Sequence, residues 1–152
     1  MNYDGKEFIN VSKADLNLDS EEEKEELKKE NEESKEMFDR MKEVLDKQVE
    51  TVRFTNRLKN HPVCLTSSGN ISLEMEKVIN AMPTDEKIKA QAAMEINAHH
   101  PIAEKLKKLY KKDKESFENY TKVLYAQARL IEGLTVENPT EISNLICDIL
   151  SK

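Results

Sequence analysis

The residues best suited to chemistry lie near the middle of the chain, where His99 and His100 are flanked by Glu95 and Glu104. Imidazole and carboxylate groups are common zinc ligands, and His100 and Glu104 are one helical turn apart. A zinc site needs three or four converging ligands, however, and Pro101 marks a strand-to-helix junction that would splay these residues apart. The pattern favours a His100 side chain that bonds to backbone where a helix begins, with metal binding as the weaker interpretation.

Motifs of covalent catalysis and of phosphate binding do not occur in the sequence. The three glycines form no phosphate-binding loop, and the serine, histidine and aspartate residues match no nucleophile elbow. Cys64 and Cys147 are isolated, which predicts neither a disulfide framework nor a zinc cluster. We expect both to be small apolar core residues in a reducing compartment, and we expect no catalytic residue and no cofactor.

Composition limits the classes of partner. Hydrophobic residues make up 38% of the chain and charged residues 36%, with 24 basic and 30 acidic side chains. This acidic balance argues against a general nucleic-acid or membrane-surface role. No stretch approaches the ~20 apolar residues that a membrane span requires, and the first residues lack the pattern of a signal peptide. We expect a soluble, cytoplasmic protein.

Hydrophobic periodicity predicts the order helix, strand, strand, helix, strand and three helices. A charged helix begins near Asp19 and becomes amphipathic around Phe38. Strand-type residues occupy 49–56 and 63–66, which suggests an antiparallel pair, and 92–97 is a third candidate strand. The sequence therefore predicts an α+β fold with a small, mainly antiparallel three-stranded sheet covered by helices.

A short helix pattern over residues 70–82 carries a narrow apolar stripe within about a third of its circumference. The stripe consists of Ile71, Met75, Val78, Ile79 and Met82. A helix that faces the core would show the same spacing. However, unbranched methionine suits a surface that adapts to varied partners, and the runs on either side look flexible. An exposed helix of this kind would be a binding element.

Two amphipathic helix patterns with a stop between them end the chain. The first ends at Gly133, which suits the left-handed position past a helix, with Leu134 as a capping contact. The second begins at Asn138, a residue able to cap, with Pro139 in the first turn and Glu141 reaching back. Their predicted interface residues are Tyr120, Leu124, Ala128, Ile131, Ile142, Leu145, Ile146, Ile149 and Leu150. A second copy of the same pair would cover them, which makes this a dimerisation element.

Several motifs together resemble the C-terminal domain of the Hsp90 chaperone family, in its bacterial type. They are 52–58 with Pro62, 70–77 around Met75, 94–97 with His100 and Pro101, and 124–128 through 137–139. The resemblance covers about residues 19–152 as a C-terminal dimerisation domain, and residues 1–18 look like a connector from the preceding middle domain. One departure is Ala98, where the family usually has proline.

The resemblance implies an ATP-driven, dimeric chaperone. Its last two helices, here about 117–132 and 139–150, would form an intermolecular four-helix bundle with a second protomer. ATP would bind in an N-terminal domain outside this chain, so we expect no ATPase activity here. The helix over 70–82 would correspond to an exposed helix implicated in contact with client proteins. The implied partners are a second protomer, client proteins and the middle domain of the same parent chain, with no nucleic acid and no membrane.

Two other hypotheses stay open at this point. A free-standing helical adaptor would use residues 20–48 as a coiled-coil helix. The heptad pattern there is poor, because Leu27 is the only aliphatic residue before Met37 and three or four apolar heptads would be needed. A metal-dependent hydrolase would use His99 and His100.

Overall fold

The computed structural model describes residues 2–3, 6–7, 20–85 and 87–152, and these residues form two sheets and six helices. The larger sheet consists of β3 (Thr51–Thr55), β4 (Val63–Ser67) and β5 (Ala92–Asn97). The helices are α1 (Glu21–Glu33), α2 (Lys35–Val44), α3 (Leu73–Ala81), α4 (Pro101–Lys112), α5 (Lys114–Ile131) and α6 (Pro139–Ser151). The predicted α+β class and the predicted order of elements are confirmed, except that the first helix is divided in two.

The start of the chain contains a short antiparallel pair, β1 (Asn2–Tyr3) and β2 (Lys6–Glu7). Most of the predicted connector over residues 1–18 lies outside the described residues. The alternating residues 6–11 predict a short extended piece, of which only β2 lies within the described residues.

The larger sheet is mixed, and β5 lies between the other two strands. It runs parallel to β3, with Val52 opposite Met94, and antiparallel to β4, with Leu65 opposite the same Met94. The predicted antiparallel pairing of the first two strands is therefore wrong, as is the mainly antiparallel sheet. A parallel neighbour requires a long crossover connection, and here β4 and α3 lie within that crossover.

All six residues of β5 are buried, as the middle position of the strand requires. Met94 and Ile96 share one face with Ala92, as predicted, and belong to the apolar core. The opposite face carries Glu95 and Asn97, both buried. The Asn97 amide donates to the backbone oxygen of His61, so this polar face is satisfied by hydrogen bonds.

The predicted N-terminal helix is interrupted at Ser34, where α1 ends and α2 begins. α1 starts with a reciprocal capping box between Ser20 and Glu23, and none of its residues is buried. α2 buries Met37 and Phe38, together with Met41. The second half of the charged segment buries apolar side chains, as its amphipathic pattern predicts, while Leu27 of α1 is partly buried against the core. Because the segment is broken and its apolar residues are used internally, residues 20–48 do not form one continuous coiled-coil helix.

The edge of the sheet at β3 is protected by a side chain of α1. Asn31 Oδ1 accepts a hydrogen bond of 2.7 Å from the backbone nitrogen of Phe54, and Asn31 Nδ2 donates to the Phe54 oxygen at 3.3 Å. An unpaired edge strand offers such groups to other chains, so this amide pairing both fixes α1 and covers the edge.

The core lies between the sheet and helices α2, α4 and α5. Two edge-to-face aromatic pairs stabilise it: Phe38 with Phe54 at 4.9 Å between ring centroids, and Tyr110 with Phe117 at 5.3 Å. The largest fully buried apolar side chains are Met41, Val49, Phe54, Val63, Met94, Ile96, Leu106 and Phe117.

The turn between α5 and α6 follows the sequence prediction at its start and departs from it at its end. Gly133 has a φ of 70°, its nitrogen donates to Leu130 and the Leu134 nitrogen donates to Arg129, which is a Schellman motif. The left-handed glycine is thus confirmed, and Leu134, which donates the capping bond, is buried. Asn138 has a φ of 52° and its side chain caps nothing, so the predicted capping bond is wrong, although Pro139 opens α6 as predicted.

Truncation of Ile96 to alanine tests the central position of β5. Ile96 is fully buried, so Ile96→Ala should lower the free energy of unfolding by roughly 2–5 kcal/mol. The control is Val78→Ala, at a side chain that is 56% exposed, which should change it by about 0.5 kcal/mol or less. Urea unfolding followed by circular dichroism at one fixed protein concentration measures both, and equal losses would contradict the strand order.

Candidate functional site

The C-terminal helix α6 presents an apolar face that its own chain leaves partly uncovered. None of its 13 residues is buried. Ile142, Leu145 and Ile149 are half-buried, whereas Ile146 is 36% exposed and Leu150 is 80% exposed. α6 folds back on α5, with Lys122 Nζ 3.4 Å from Glu141 Oε1 and Lys152 Nζ donating to Ser116 Oγ at 2.9 Å. An apolar helix face left in water is unusual and marks an interaction surface.

The predicted interface residues of α5 divide into two groups. Leu124 and Ala128 are 4% and 0% exposed and belong to the core of their own chain, so they offer no surface to a second copy. Tyr120 is half-buried against the same core. Ile131 is 42% exposed, and its neighbour Leu130, which the sequence stripe missed, is 62% exposed. The end of α5, rather than its whole stripe, extends the apolar face of α6.

The second apolar surface lies on α3. Met75 and Met82 are each 48% exposed and Val78 is 56% exposed. Ile79 is half-buried, and Ile71 is half-buried ahead of the helix, where it packs against the core. The helix begins at Leu73 because the Ser72 hydroxyl accepts a bond from the Met75 nitrogen. Three of the five predicted contact residues therefore form a contiguous exposed group, which we call the α3 surface (Met75, Val78 and Met82).

The segments on either side of α3 are bonded to it or to the sheet. The Leu73 nitrogen donates to Ser67 Oγ at 3.1 Å. On the other side, Asn80 exchanges two hydrogen bonds of 2.9 Å with the backbone of Ile88, and Lys87 Nζ donates to the Asn80 oxygen. The sequence suggests hinges here, but these bonds attach the helix at both ends.

A buried ion pair joins α3 to the end of α5. Arg129 Nη2 donates to Glu76 Oε1 at 2.8 Å, and the two side chains are 7% and 2% exposed. Burial disfavours the charged guanidinium, but its hydrogen bonds to Glu76 and to Tyr125 more than offset this and raise the pKa of Arg129. Neither residue belongs to an apolar stripe, and they lie 53 positions apart in the sequence, so periodicity gives no signal for the pair.

A second buried carboxylate, Glu95, organises the polar face of β5. Arg53 Nη2 donates to Oε1 at 2.7 Å and Arg57 Nη2 donates to Oε2 at 2.6 Å, while Thr66 Oγ1 donates to Oε1 at 3.3 Å. Burial would raise the pKa of Glu95, but the hydrogen bonds from Arg57 and Arg53 outweigh it and hold that pKa below its usual value. Every member of this cluster has a protein partner, which is typical of a structural ion-pair network.

The histidine segment does not converge on a metal. His100 Nδ1 accepts a bond of 3.1 Å from the Ile102 nitrogen and caps α4, so the predicted backbone role is confirmed. Across the ranges that the structure describes, no group of three or more histidine, cysteine, aspartate or glutamate side chains could hold a metal ion.

The two cysteines differ in their surroundings. Cys64 is half-buried on β4, and burial, with the nearby Glu95 charge, raises the pKa of its thiol to about 12. Cys147 is exposed on α6, so the expectation of a core residue is wrong there. Among the helices described, none combines the length and the apolar character needed to cross a bilayer.

Comparison with known proteins identifies relatives of this chain over its whole length. The model of the Hsp90 protein family matches residues 1–152. The chain is 52% identical over 150 residues to the chaperone protein HtpG of Oceanobacillus iheyensis. It is 49% identical over 150 residues to the proteins of the same name from Clostridium botulinum and Clostridium perfringens.

Each of these alignments covers 99% of this chain and 24% of the relative. The chain therefore belongs to the Hsp90 protein family. It spans about a quarter of the length of the curated relatives that it matches.

Acid should weaken the network around Glu95. A carboxylate whose pKa is depressed in the folded state contributes stability above its unfolded value of 4.5, and that contribution is lost as the pH falls through the folded value. We expect Glu95→Gln to cost about 2 kcal/mol at pH 7, a figure kept low because Arg53 and Arg57 are 41% and 34% exposed.

The loss of unfolding free energy in Glu95→Gln relative to wild type should shrink as the pH falls below 4.5, as measured by urea unfolding at each pH. The exposed Glu22→Gln variant is the matched control and should follow wild type throughout. A deficit for Glu95→Gln that stays constant across this range would contradict the assignment.

Proposed function

We propose that residues 19–152 are the C-terminal homodimerisation domain of an Hsp90-type molecular chaperone, and that the α3 surface contacts client proteins. Residues 1–18 connect this domain to the middle domain of the same parent chain. The observation that carries the proposal is the amphipathic helix α6, whose five large aliphatic side chains include no buried residue. Moving this apolar face out of water lowers the free energy, and a second copy of the chain offers an identical face to pack against it.

The proposed dimer interface combines the free side of α6 with the end of α5. Its members are Leu130, Ile131, Ile142, Leu145, Ile146, Ile149 and Leu150. Tyr120 contributes the part of its ring that its own core leaves uncovered, whereas Leu124 and Ala128 act by holding α5 on that core. Pairing two α5–α6 hairpins across a twofold axis gives an intermolecular four-helix bundle, and an obligate interface of this type buries about 2,000 Å² or more.

The bundle gives the parent chaperone its dimeric state. A constitutive dimer keeps two ATP-hydrolysing arms at a high effective concentration, so that each arm meets its counterpart without a new bimolecular encounter. In the family, ATP is handled by an N-terminal domain, so residues 19–152 have a non-catalytic, cofactor-free role in this proposal. The bacterial relatives support a chaperone of the bacterial type. In this proposal it is cytoplasmic and has neither nucleic acid nor membrane as a partner.

Client contact is assigned to α3 because its exposed side chains suit varied partners. Met75 and Met82 have flexible, polarisable thioethers, and Val78 lies between them at 56% exposure. Ile71 and Ile79 are half-buried and complete the proposed surface at its edge. An apolar patch that a folded chain leaves in water is available for the apolar segments of an unfolded protein.

A charge on the free side of α6 should separate the protomers. Ile146→Asp adds a carboxylate at a side chain that is already 36% exposed in the single chain, so internal packing is spared. We expect the mass of this variant, measured by light scattering after size exclusion, to fall from that of two chains to that of one. Leu145→Asp should do the same with some added loss of stability, because Leu145 is half-buried.

The matched control is Asn144→Asp, on the exposed polar side of the same helix, which should stay dimeric. If Ile146→Asp and Leu145→Asp both kept the mass of the wild-type protein, α6 would lie outside the interface.

Charges on the α3 surface should weaken client binding without harming the fold. Met75→Glu combined with Val78→Glu places two carboxylates among exposed apolar side chains. In the parent chaperone, we expect affinity for a permanently unfolded protein, reduced and alkylated, to fall about tenfold or more. Fluorescence anisotropy of the labelled unfolded protein measures it. The control, Asn60→Glu with Asn144→Glu, adds equal charge at exposed positions elsewhere, and an equal loss there would refute the assignment.

A further inference from the structure

Two buried side chains attach α3 to the rest of the chain, in addition to the hydrogen bonds at its two ends. Among the residues of the helix, only Leu73 and Glu76 are buried, and every other position is at least partly exposed. Leu73 packs into the apolar core at the start of the helix. Glu76 lies one turn further on and is the only charged residue of α3 without solvent contact, at 2% exposure. The position of the α3 surface therefore depends strongly on what Glu76 binds.

Glu76 and Arg129 connect three parts of the chain through one buried pair. Glu76 Oε1 accepts from Arg129 Nη2 at 2.8 Å, and Glu76 Oε2 accepts from the backbone nitrogen of Ala90, ahead of β5, at 2.9 Å. Arg129 Nε donates to the backbone oxygen of Thr135 at 2.7 Å, and Nη1 donates to the Tyr125 hydroxyl at 3.4 Å. The pair thus bonds α3, the approach to β5 and the connection between α5 and α6.

The surroundings of the pair indicate close packing between α3 and the end of α5. A Cβ added at Gly133 would lie 3.8 Å from Lys77 Cε, so the Schellman turn comes within van der Waals reach of α3. Burial raises the pKa of Glu132 at the same junction, where the Lys77 charge lowers it and the Glu74 charge raises it. The α3 end and the α5–α6 turn therefore form one continuous junction.

We propose that Glu76 and Arg129 are positioning residues that clasp α3 onto the turn leading to the dimerisation helix, and so hold the α3 surface in its client-binding arrangement. This inference rests on the proposed function. Because the pair is buried, removing either partner leaves the other charge without compensation, and α3 is loosened between its bonded ends. A client that binds the ordered helix then meets a smaller binding-competent population, and its apparent affinity falls in proportion.

The clasp also gives a physical connection between the two surfaces. Arg129 lies on α5 directly before exposed Leu130 and Ile131, and its Nε bond fixes Thr135 in the turn that leads to α6. A change in the relative position of α5 and α6 therefore acts on the Arg129 guanidinium, which also holds α3. Coupling of this kind requires a discrete bonded element that both sites influence, and the pair is such an element.

Three variants of the parent chaperone test the clasp. Arg129→Met keeps the aliphatic stem and removes the charge, Glu76→Gln keeps an oxygen for the Ala90 nitrogen, and the third variant combines both changes. Amide hydrogen exchange of residues 73–81 is followed beside that of β5, and affinity for the permanently unfolded protein is measured in parallel. Lys89→Met is the matched control, since it breaks the exposed Lys89–Glu137 pair, which joins the approach to β5 and the α5–α6 connection at 2.9 Å without touching α3.

We expect each single variant to speed exchange in α3 about tenfold or more, with the exchange of β5 unchanged. Amide exchange in α3 of the double variant should be no faster than in either single variant, because both substitutions remove the same interaction. Client affinity should fall by the same factor in all three variants, and Lys89→Met should match wild type in both measurements.

Unchanged exchange in α3, a rise shared equally with β5, or additive effects in the double variant would each overturn the clasp. Faster exchange in α3 with intact client affinity would overturn the role of the Glu76–Arg129 pair in client binding. The Met75→Glu with Val78→Glu variant separates this failure from failure of the proposed function. Intact client affinity in that variant would show that the α3 surface does not bind clients, and the exchange measurement would still test whether Glu76 and Arg129 hold α3.

Discussion

Burial of apolar side chains is what stabilises an amphipathic helix, and α6 lies on α5 without burying one of its residues. The reason is that α5 has already committed its apolar stripe to the core, where Phe117, Leu124 and Ala128 pack beneath the sheet. What remains for α6 is a partial contact on one side and water on the other. A helix in this situation needs cover from outside its own chain, and the proposed dimer follows from that requirement.

The rest of the fold is built to leave two surfaces open while the middle stays rigid. β5 is buried on both faces, Glu95 is held by two arginines on one side, and the aromatic pairs of the core lie on the other. α3 is attached to this body through the buried Leu73 and Glu76 and through hydrogen bonds at its two ends. The exposed side chains of α3 and of α6 thus belong to elements that the core supports but does not cover.

Local features were predictable from the sequence because they depend on neighbouring residues. The order of elements, the left-handed Gly133 and the His100 cap follow from periodicity and from the conformational preferences of single residues. Strand pairing was not predictable, since the position of β5 between β3 and β4 depends on contacts across about 40 residues. The break between α1 and α2 at Ser34 could not be predicted, because no glycine or proline lies there.

The same division holds for the candidate surfaces. Spacing identified the apolar stripes, but it could not say which stripe turns inward, so Leu124 and Ala128 were assigned to the interface although they are buried in their own chain. The Glu76–Arg129 pair could not be predicted from the sequence for a related reason. A glutamate on a short helix normally reads as solvated, and only the fold brings a guanidinium 53 positions away to 2.8 Å.

The central claim is that the open face of α6 is covered by a second copy. Sedimentation equilibrium of the unsubstituted chain over a wide dilution series tests this most directly, because it measures mass without a label or a variant. The account predicts a species of twice the chain mass of 17.6 kDa that persists to submicromolar concentration. A mass of one chain at every concentration would contradict it.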